Sequence, residues 1–239
     1  MGKYINNHQS FIITTRPPSI HTERVYPHKG TIIIEANDLF YRVDLNYTSF
    51  SSKIFGGLAI ICGIWFLSHD GIDLYYDTFS VFVIFAGLFF LIYGFTVNKE
   101  NKTLLLDRIN GIISYPDMFY APLLKGKFED IKAVISVSGD VDGTVGREYL
   151  KFVNTFKPRK LDVLRTISYK DPYEEWSLYV WYMDKNRPLP PGTAFDEYRE
   201  KDFERRKREG FPKPLFESYI PTPEATKEQQ AVRRKIGGW

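Results

Sequence analysis

Residues 54–67, IFGGLAIICGIWFL, and 79–97, FSVFVIFAGLFFLIYGFTV, decide the architecture, because neither run carries a charge and only a short polar connection separates them. The second run, about 19 residues, crosses a hydrocarbon core of roughly 30 Å at ~1.5 Å rise per residue. The first, about 14 residues, would by itself also suit a buried core helix. Ser51, Ser52, Ser68 and a snorkelling Lys53 extend it to spanning length. A lone crossing would strand the connecting loop, so residues 51–97 read together as a two-helix transmembrane hairpin.

The connection 68–78 carries Asp70, Asp73 and Asp77 and neither Lys nor Arg, whereas Lys53 precedes the first span and Lys99, Lys102 and Arg108 follow the second. The positive-inside rule then makes the acidic connection the outer loop and puts both termini in the cytoplasm. Trp65, Tyr75 and Tyr76 fall at the outer interface and Tyr47, Phe50 and Tyr93 at the inner one, where amphipathic rings prefer to lie. Gly56 and Gly63 lie seven residues apart on the first helix, as do Gly87 and Gly94 on the second. Small residues let helices approach closely in lipid. An antiparallel pairing of Gly56 with Gly94 and of Gly63 with Gly87 is therefore expected, against the plainer account that glycine is common in spans.

A chain of 239 residues leaves room for the hairpin and one globular domain of ordinary size. The formal charge of +3 is small, and its uneven division across the hairpin is a topology signal rather than a sign of nucleic-acid binding. Cys62, the single cysteine, sits inside the first run, which excludes an intramolecular disulfide and a cysteine metal cluster. Residues 1–7 are polar and lack the apolar segment of a signal peptide, and Asn6 breaks the myristoylation motif that Met1-Gly2 opens. His8, His21 and His28 have no metal-ligand spacing. No cofactor and no metal is expected.

The organisation expected along the chain is an irregular lead-in over 1–30, a first β-hairpin within 31–50, the membrane hairpin at 51–97, the main part of an α+β domain at 98–192 and a charged helical tail at 193–239. Residues 31–35 and 39–44 flank Ala36-Asn37-Asp38 as a β-hairpin. Residues 103–109 and 112–115 flank Asn110-Gly111, the dipeptide that supplies the two positive φ values of a type I′ turn. Further strands are expected over 131–137, 149–156 and 163–169, with a turn at 139–143. Asp140 and Asp142 in that turn lack the remaining ligands of a calcium loop.

Asp171-Pro172-Tyr173-Glu174-Glu175 has the N-cap, the first-turn proline and the acids of a helix start, and Trp176, Tyr179, Val180 and Met183 follow at helical spacing. An amphipathic helix stopped by Arg187-Pro188 is expected. Residues 196–209 are almost wholly charged. Their basic cluster, Arg205, Arg206, Lys207 and Arg208, either contacts anionic headgroups or forms a solvated helix face neutralised by Glu200, Asp202, Glu204 and Glu209. Thr222-Pro223-Glu224 opens a last short helix that ends at Gly237-Gly238.

The re-entry segment Asn98-Lys99-Glu100-Asn101-Lys102-Thr103-Leu104, the segment Phe128-Glu129-Asp130-Ile131 and the helix with Trp176 and Met183 resemble bacterial pleckstrin-homology-like modules in which a membrane hairpin is inserted early in the β-domain. With Pro190-Pro191-Gly192, their order is similar to a family of two-span proteins of unknown function encoded near type VI secretion effectors. The resemblance covers residues 31–221. It implies an antiparallel β-rich cytoplasmic domain closed by a C-terminal helix, a bacterial inner-membrane location and no catalytic residue.

The chain has no phosphate loop, nucleophile elbow or metal-ligand spacing, and residues 139–146 are glycine-rich but lack the lysine a phosphate loop needs. An enzyme is therefore not expected. A channel or transporter would need a homo-oligomer, since two uncharged spans supply no polar pathway. Binding remains, with the lipid bilayer and a second protein as partners. The family resemblance favours an immunity protein that neutralises a cognate secreted toxin; the competing reading is a membrane-anchored scaffold, adaptor or lipid-headgroup reader.

Overall fold

The computed structural model describes residues 10–13, 32–45, 47–69, 74–97, 102–117, 120–138, 147–153, 165–166, 171–216 and 221–239. The elements run β1 (Ser10–Ile13), β2 (Ile33–Ala36), β3 (Phe40–Asp44), α1 (Tyr47–His69), α2 (Leu74–Thr96), β4 (Thr103–Asp107), β5 (Ile112–Tyr115), β6 (Leu124–Lys127), β7 (Lys132–Ser138), β8 (Arg147–Val153), β9 (Arg165–Thr166), α3 (Pro172–Met183), α4 (Arg199–Arg208) and α5 (Lys227–Gly237). Two compact units result. One comprises residues 44–103 with 116–123, and the other comprises the rest of the chain.

In the larger unit the strands form two sheets, ordered β1-β7-β8-β9 and β2-β3-β4-β5-β6. The β1–β7, β2–β3, β4–β5, β5–β6, β7–β8 and β8–β9 pairs are antiparallel. Alternation builds the core: Tyr41 and Val43 of β3, and Leu104 and Leu106 of β4, are buried while the residues between them are half-exposed. The rings of α3 tie both sheets together. Trp176 meets Phe152 of β8 at 5.9 Å and Phe128 at 5.5 Å, while Tyr182 and Tyr179 meet Tyr41 of β3 at 5.5 and 6.1 Å.

Helix α3 starts as its sequence dictates, with the Asp171 carboxylate accepting from the Tyr173 and Glu174 amides at 2.8 and 3.0 Å. It is not amphipathic, however, because every residue from Trp176 to Met183 is buried. Tyr41, Tyr179 and Tyr182 are accordingly pushed well above the usual phenol range, chiefly by burial.

Three further expectations change. The lead-in contains β1, whose residues pair with β7 from Ser10↔Ser136 to Ile13↔Ala133. Strand β6, whose sequence LKGK has no strand pattern, is recruited by pairing with β5. The β4–β5 connection is not a type I′ turn, because Gly111 has φ of 68° but Asn110 is not in the positive region. Asp107 pairs with Ile112, so four residues, Arg108 to Gly111, make the loop. The Asp107 carboxylate holds it open by accepting from the Asn110 backbone amide at 3.2 Å and from Asn110 Nδ2 at 2.9 Å.

In the smaller unit, α1 and α2 are each 23 residues long. Residues 50–68 and 77–96 are long and apolar enough to cross a bilayer, and only 17% and 22% of them is buried. A core helix of a water-soluble fold would be mostly buried. Here Phe55, Leu58, Ile61 and Trp65 of α1, and Phe82, Phe85, Phe89 and Phe95 of α2, face outward. The base of the hairpin is knitted by the Leu45 amide donating to the Lys102 carbonyl at 2.9 Å. The Thr96 and Tyr120 hydroxyls share a hydrogen bond of 2.6 Å, and the Tyr120 ring meets the Tyr93 ring edge-on at 5.2 Å.

Candidate functional site

Glycines do set the approach of α1 to α2, but in a register different from the expected one. A Cβ on Gly56 would stand 2.7 Å from the Gly87 carbonyl oxygen, and one on Gly87 would stand 2.8 Å from the Gly56 carbonyl oxygen. Gly56 thus meets Gly87 rather than Gly94, and Gly63 meets Ile84 and the Ser80 carbonyl rather than Gly87. The cause is the point at which the helices join. They extend to His69 and from Leu74, so the connection is 70–73 rather than 68–78. Gly56 then stands as far before that connection as Gly87 stands after it, and Gly63 as far before it as Ser80 after it. Gly94 is buried. Of the carboxylates Asp70, Asp73 and Asp77, only Asp77 falls within the described residues, in the first turn of α2. Asp70 and Asp73 lie outside them, as do His8, His21, His28, Asp140 and Asp142.

The charged segment at the C-terminal end lies in the larger unit. Arg206 is 1% exposed. Its Nη1 and Nη2 donate to the two Glu224 carboxylate oxygens at 2.7 and 2.8 Å, and its Nε donates to Asp202 at 2.9 Å. Arg233 Nη1 donates to Glu224 at 3.1 Å and to the Thr222 carbonyl at 2.9 Å. Asp202 also faces Arg205 at 2.9 Å and Arg108 at 3.5 Å. Nearby, Arg187 Nε pairs with Asp184 at 2.9 Å.

A headgroup role for Arg206 is therefore excluded by burial. Arg205 pairs with Asp202 and Glu209, Lys207 pairs with Glu204, and Arg208 Nε donates to the Glu204 carbonyl. Of the four, Lys207 and Arg208 are exposed. Helix α5 also starts later than expected. Thr226, not Thr222, is its N-cap, accepting from the Gln229 amide at 3.2 Å, while Gly238 ends it in the left-handed conformation as the sequence indicates.

The charges are tuned by one another. Burial alone would raise the Asp202 pKa, but Arg108 and Arg206, with the Arg205 hydrogen bond, outweigh it and hold the carboxyl below its usual range. Burial likewise pushes Arg206 down, and the bonds to Glu224 and Asp202 lift it above its ordinary value. Arg108 goes the other way. Burial lowers it, Asp202 only partly compensates, and Arg205 and Arg206 push it further down. A guanidinium stays charged regardless. Arg108 Nη2 donates to the Arg187 carbonyl at 2.7 Å and the Asp184 carbonyl at 3.4 Å, but its Nε and Nη1 have no hydrogen-bond acceptor among the described residues. In this cluster four buried arginines (108, 187, 206 and 233) face three buried acids (184, 202 and 224).

Beside Arg108 lies a cleft of about 270 Å³. Ile109, Phe128, Met183, Leu215 and Phe216 supply its apolar wall, and Lys127, Glu129 and Lys185 its charges. The sequence pointed to none of these as a site, because they come from the β4–β5 loop, the end of β6, the end of α3 and the segment after α4. Among the described residues no group of three or more His, Cys, Asp or Glu side chains converges as a metal site would require. No family model, no curated protein and no solved structure matches the chain.

Proposed function

We propose that the chain is a membrane-held binding module: a pleckstrin-homology-like domain closed by α3, whose hairpin crosses a bacterial inner membrane with both termini in the cytoplasm. In its narrower form the proposal is immunity, in which the chain binds and neutralises a cognate secreted toxin of the type VI kind. One observation carries the reading. The two apolar helices are inserted between β3 and β4, neighbouring strands of one sheet, so the anchor is built into the domain rather than appended to it. The outer connection of 70–73 is far too short for an interface of about 800 Å² per partner, which leaves the domain or the spans to make the contact.

The test co-expresses the toxin encoded beside this chain with the full-length protein and with a form in which a short linker replaces residues 47–96. Protection by the full-length form alone is expected. Equal protection by a folded linker form removes the membrane requirement, and no protection by either removes immunity and leaves the scaffold or headgroup reader. Orientation is checked separately by alkaline phosphatase fusions, which should be active at Gly71 and silent at Trp239. The reverse pattern would overturn the cytoplasmic termini.

A further inference from the structure

The cleft beside Arg108 combines one size with one sign of charge. Its volume of about 270 Å³, open to the surface, has room for one large side chain of a partner. The floor is apolar: Phe128 and Met183 are buried, and the Phe216 ring meets Phe128 edge-on at 5.7 Å. The rim contains Leu215, 55% exposed, which is where an anchor side chain would first touch.

The charge at the rim is basic. Lys127 Nζ lies 3.2 Å from Glu129, but their side chains are 70% and 62% exposed, so the pair is weak and a partner carboxylate competes for the ammonium. Lys185 spends one donor on the Ile109 carbonyl at 3.2 Å, and an ammonium has three. Behind the wall sits Arg108, whose Nε and Nη1 lack acceptors among the described residues, at the edge of a buried cluster that holds one more arginine than acid. Among the residues that line the cleft, Glu129 is the single acid against Arg108, Lys127 and Lys185. A basic partner would be repelled here and an acidic one drawn in.

We propose that this cleft is the recognition pocket of the module and that its occupant is an acidic segment of the partner protein, with an aromatic or leucine anchor flanked by carboxylates. The anchor fills the space over Phe128 and Met183, and the flanking carboxylates meet Lys127 and Lys185. The inference rests on reading the chain as a binding module and adds where it binds and which chemistry it selects. A single buried anchor ringed by weaker contacts is the usual distribution of binding energy in protein recognition.

The test uses the full-length chain in detergent and three short peptides, acetyl-Glu-Phe-Glu-amide, acetyl-Glu-Ala-Glu-amide and acetyl-Lys-Phe-Lys-amide, each Phe fluorinated and read by fluorine NMR, with displacement reporting on the Ala peptide. Saturable binding of the first is expected with a dissociation constant of about 1 mM or tighter. The other two should bind at least about tenfold more weakly, and raising the salt should weaken the first. Lys127→Glu and Leu215→Asp, both exposed positions, should each weaken it at least about fivefold with the melting temperature unchanged. No saturation, equal binding of the lysine peptide, or no effect of either substitution overturns the pocket. The functional arm keeps the two proposals apart. Full protection against the toxin by the doubly substituted chain overturns the pocket and keeps immunity; peptide selectivity as stated, with no protection by the native chain, keeps the pocket and discards immunity.

Discussion

The helical hairpin α1–α2 and the C-terminal pair α4–α5 are held by opposite chemistry. In the hairpin the contact is backbone on backbone, with Gly56 and Gly87 so close that neither has room for a Cβ, and the outward face is a wall of rings. In the C-terminal pair the contact is charge on charge. Arg206 is chelated by Glu224, and Asp202 is ringed by Arg108, Arg205 and Arg206. The hairpin should therefore be sensitive to shape at the glycine contact, whereas the C-terminal cluster should be sensitive to the loss of a single charge.

The largest expected effect breaks the second half of that contrast. Arg206→Met leaves Asp202 and Glu224 buried with their best partner gone, and breaking a buried pair from one side costs about 3–5 kcal/mol. Out of a typical stability of roughly 5–15 kcal/mol, that should be visible as a large drop in the melting temperature and as proteolysis between α4 and α5. The triple change Asp202→Leu, Arg206→Met and Glu224→Leu leaves Arg108 and Arg233 buried without their acids, so it should recover nothing. Recovery would mean that these two arginines do not depend on the acids as the geometry indicates.

Acid sharpens the same point. The Asp202 carboxyl is held below its unfolded value, so its contribution to stability is complete above the ordinary carboxylate pKa and disappears as pH falls through the lower, folded value. Thermal melts of the detergent-solubilised chain from pH 6 downward should steepen below about pH 4. Asp202→Asn should flatten that part of the profile.

The next effect, about 1–3 kcal/mol, tests the hairpin. Gly87→Val forces the helices apart at the Gly56 carbonyl and should lower resistance to unfolding in detergent. Gly57→Ala, where none of the described residues lies within 4 Å of a Cβ, should be neutral within about 0.5 kcal/mol. Equal effects of the two would refute the register. Smaller again is Gly111→Val, about 1–2 kcal/mol from the positive φ alone, since none of the described residues lies within 4 Å of a Cβ there. Asn at the same position should be better tolerated than Val.

Legibility in the sequence followed the range of the interaction. The apolar runs are local, so the two helices could be read residue by residue, and so could the Asp171 cap and the Gly238 stop. The glycine register could not, because it depends on where α1 ends. Ser68 and His69 on one side and Leu74 to Thr78 on the other stay helical, shortening the connection and sliding the pairing by a heptad. At Asn110-Gly111 the glycine was read correctly and the turn was not. Asp107 opens a four-residue loop from which Arg108 runs into the core.

The ionic cluster was opaque for a different reason. Arg108 finds its acid at Asp202 and Arg206 finds its own at Glu224, so what looks like a solvated charge run is a set of pairs that only the fold assembles. The spacing of Asp202 and Arg206, with Phe203 and Phe211 close by, was the one visible hint that a face of α4 is buried.

Cys62 offers the most direct test of the claim that the hairpin lies in a bilayer, because it is the single cysteine of the chain, sits mid-helix in α1 and is exposed on the hairpin surface. Membrane vesicles containing the native chain are treated with a membrane-impermeant maleimide, before and after unfolding in SDS. The account predicts that Cys62 stays unlabelled in intact vesicles on either side, since water and the thiolate are both excluded from hydrocarbon, and is labelled in full after SDS. Rapid labelling of Cys62 in the intact vesicles, or recovery of the folded chain in the soluble fraction with the cysteine reactive, would contradict it.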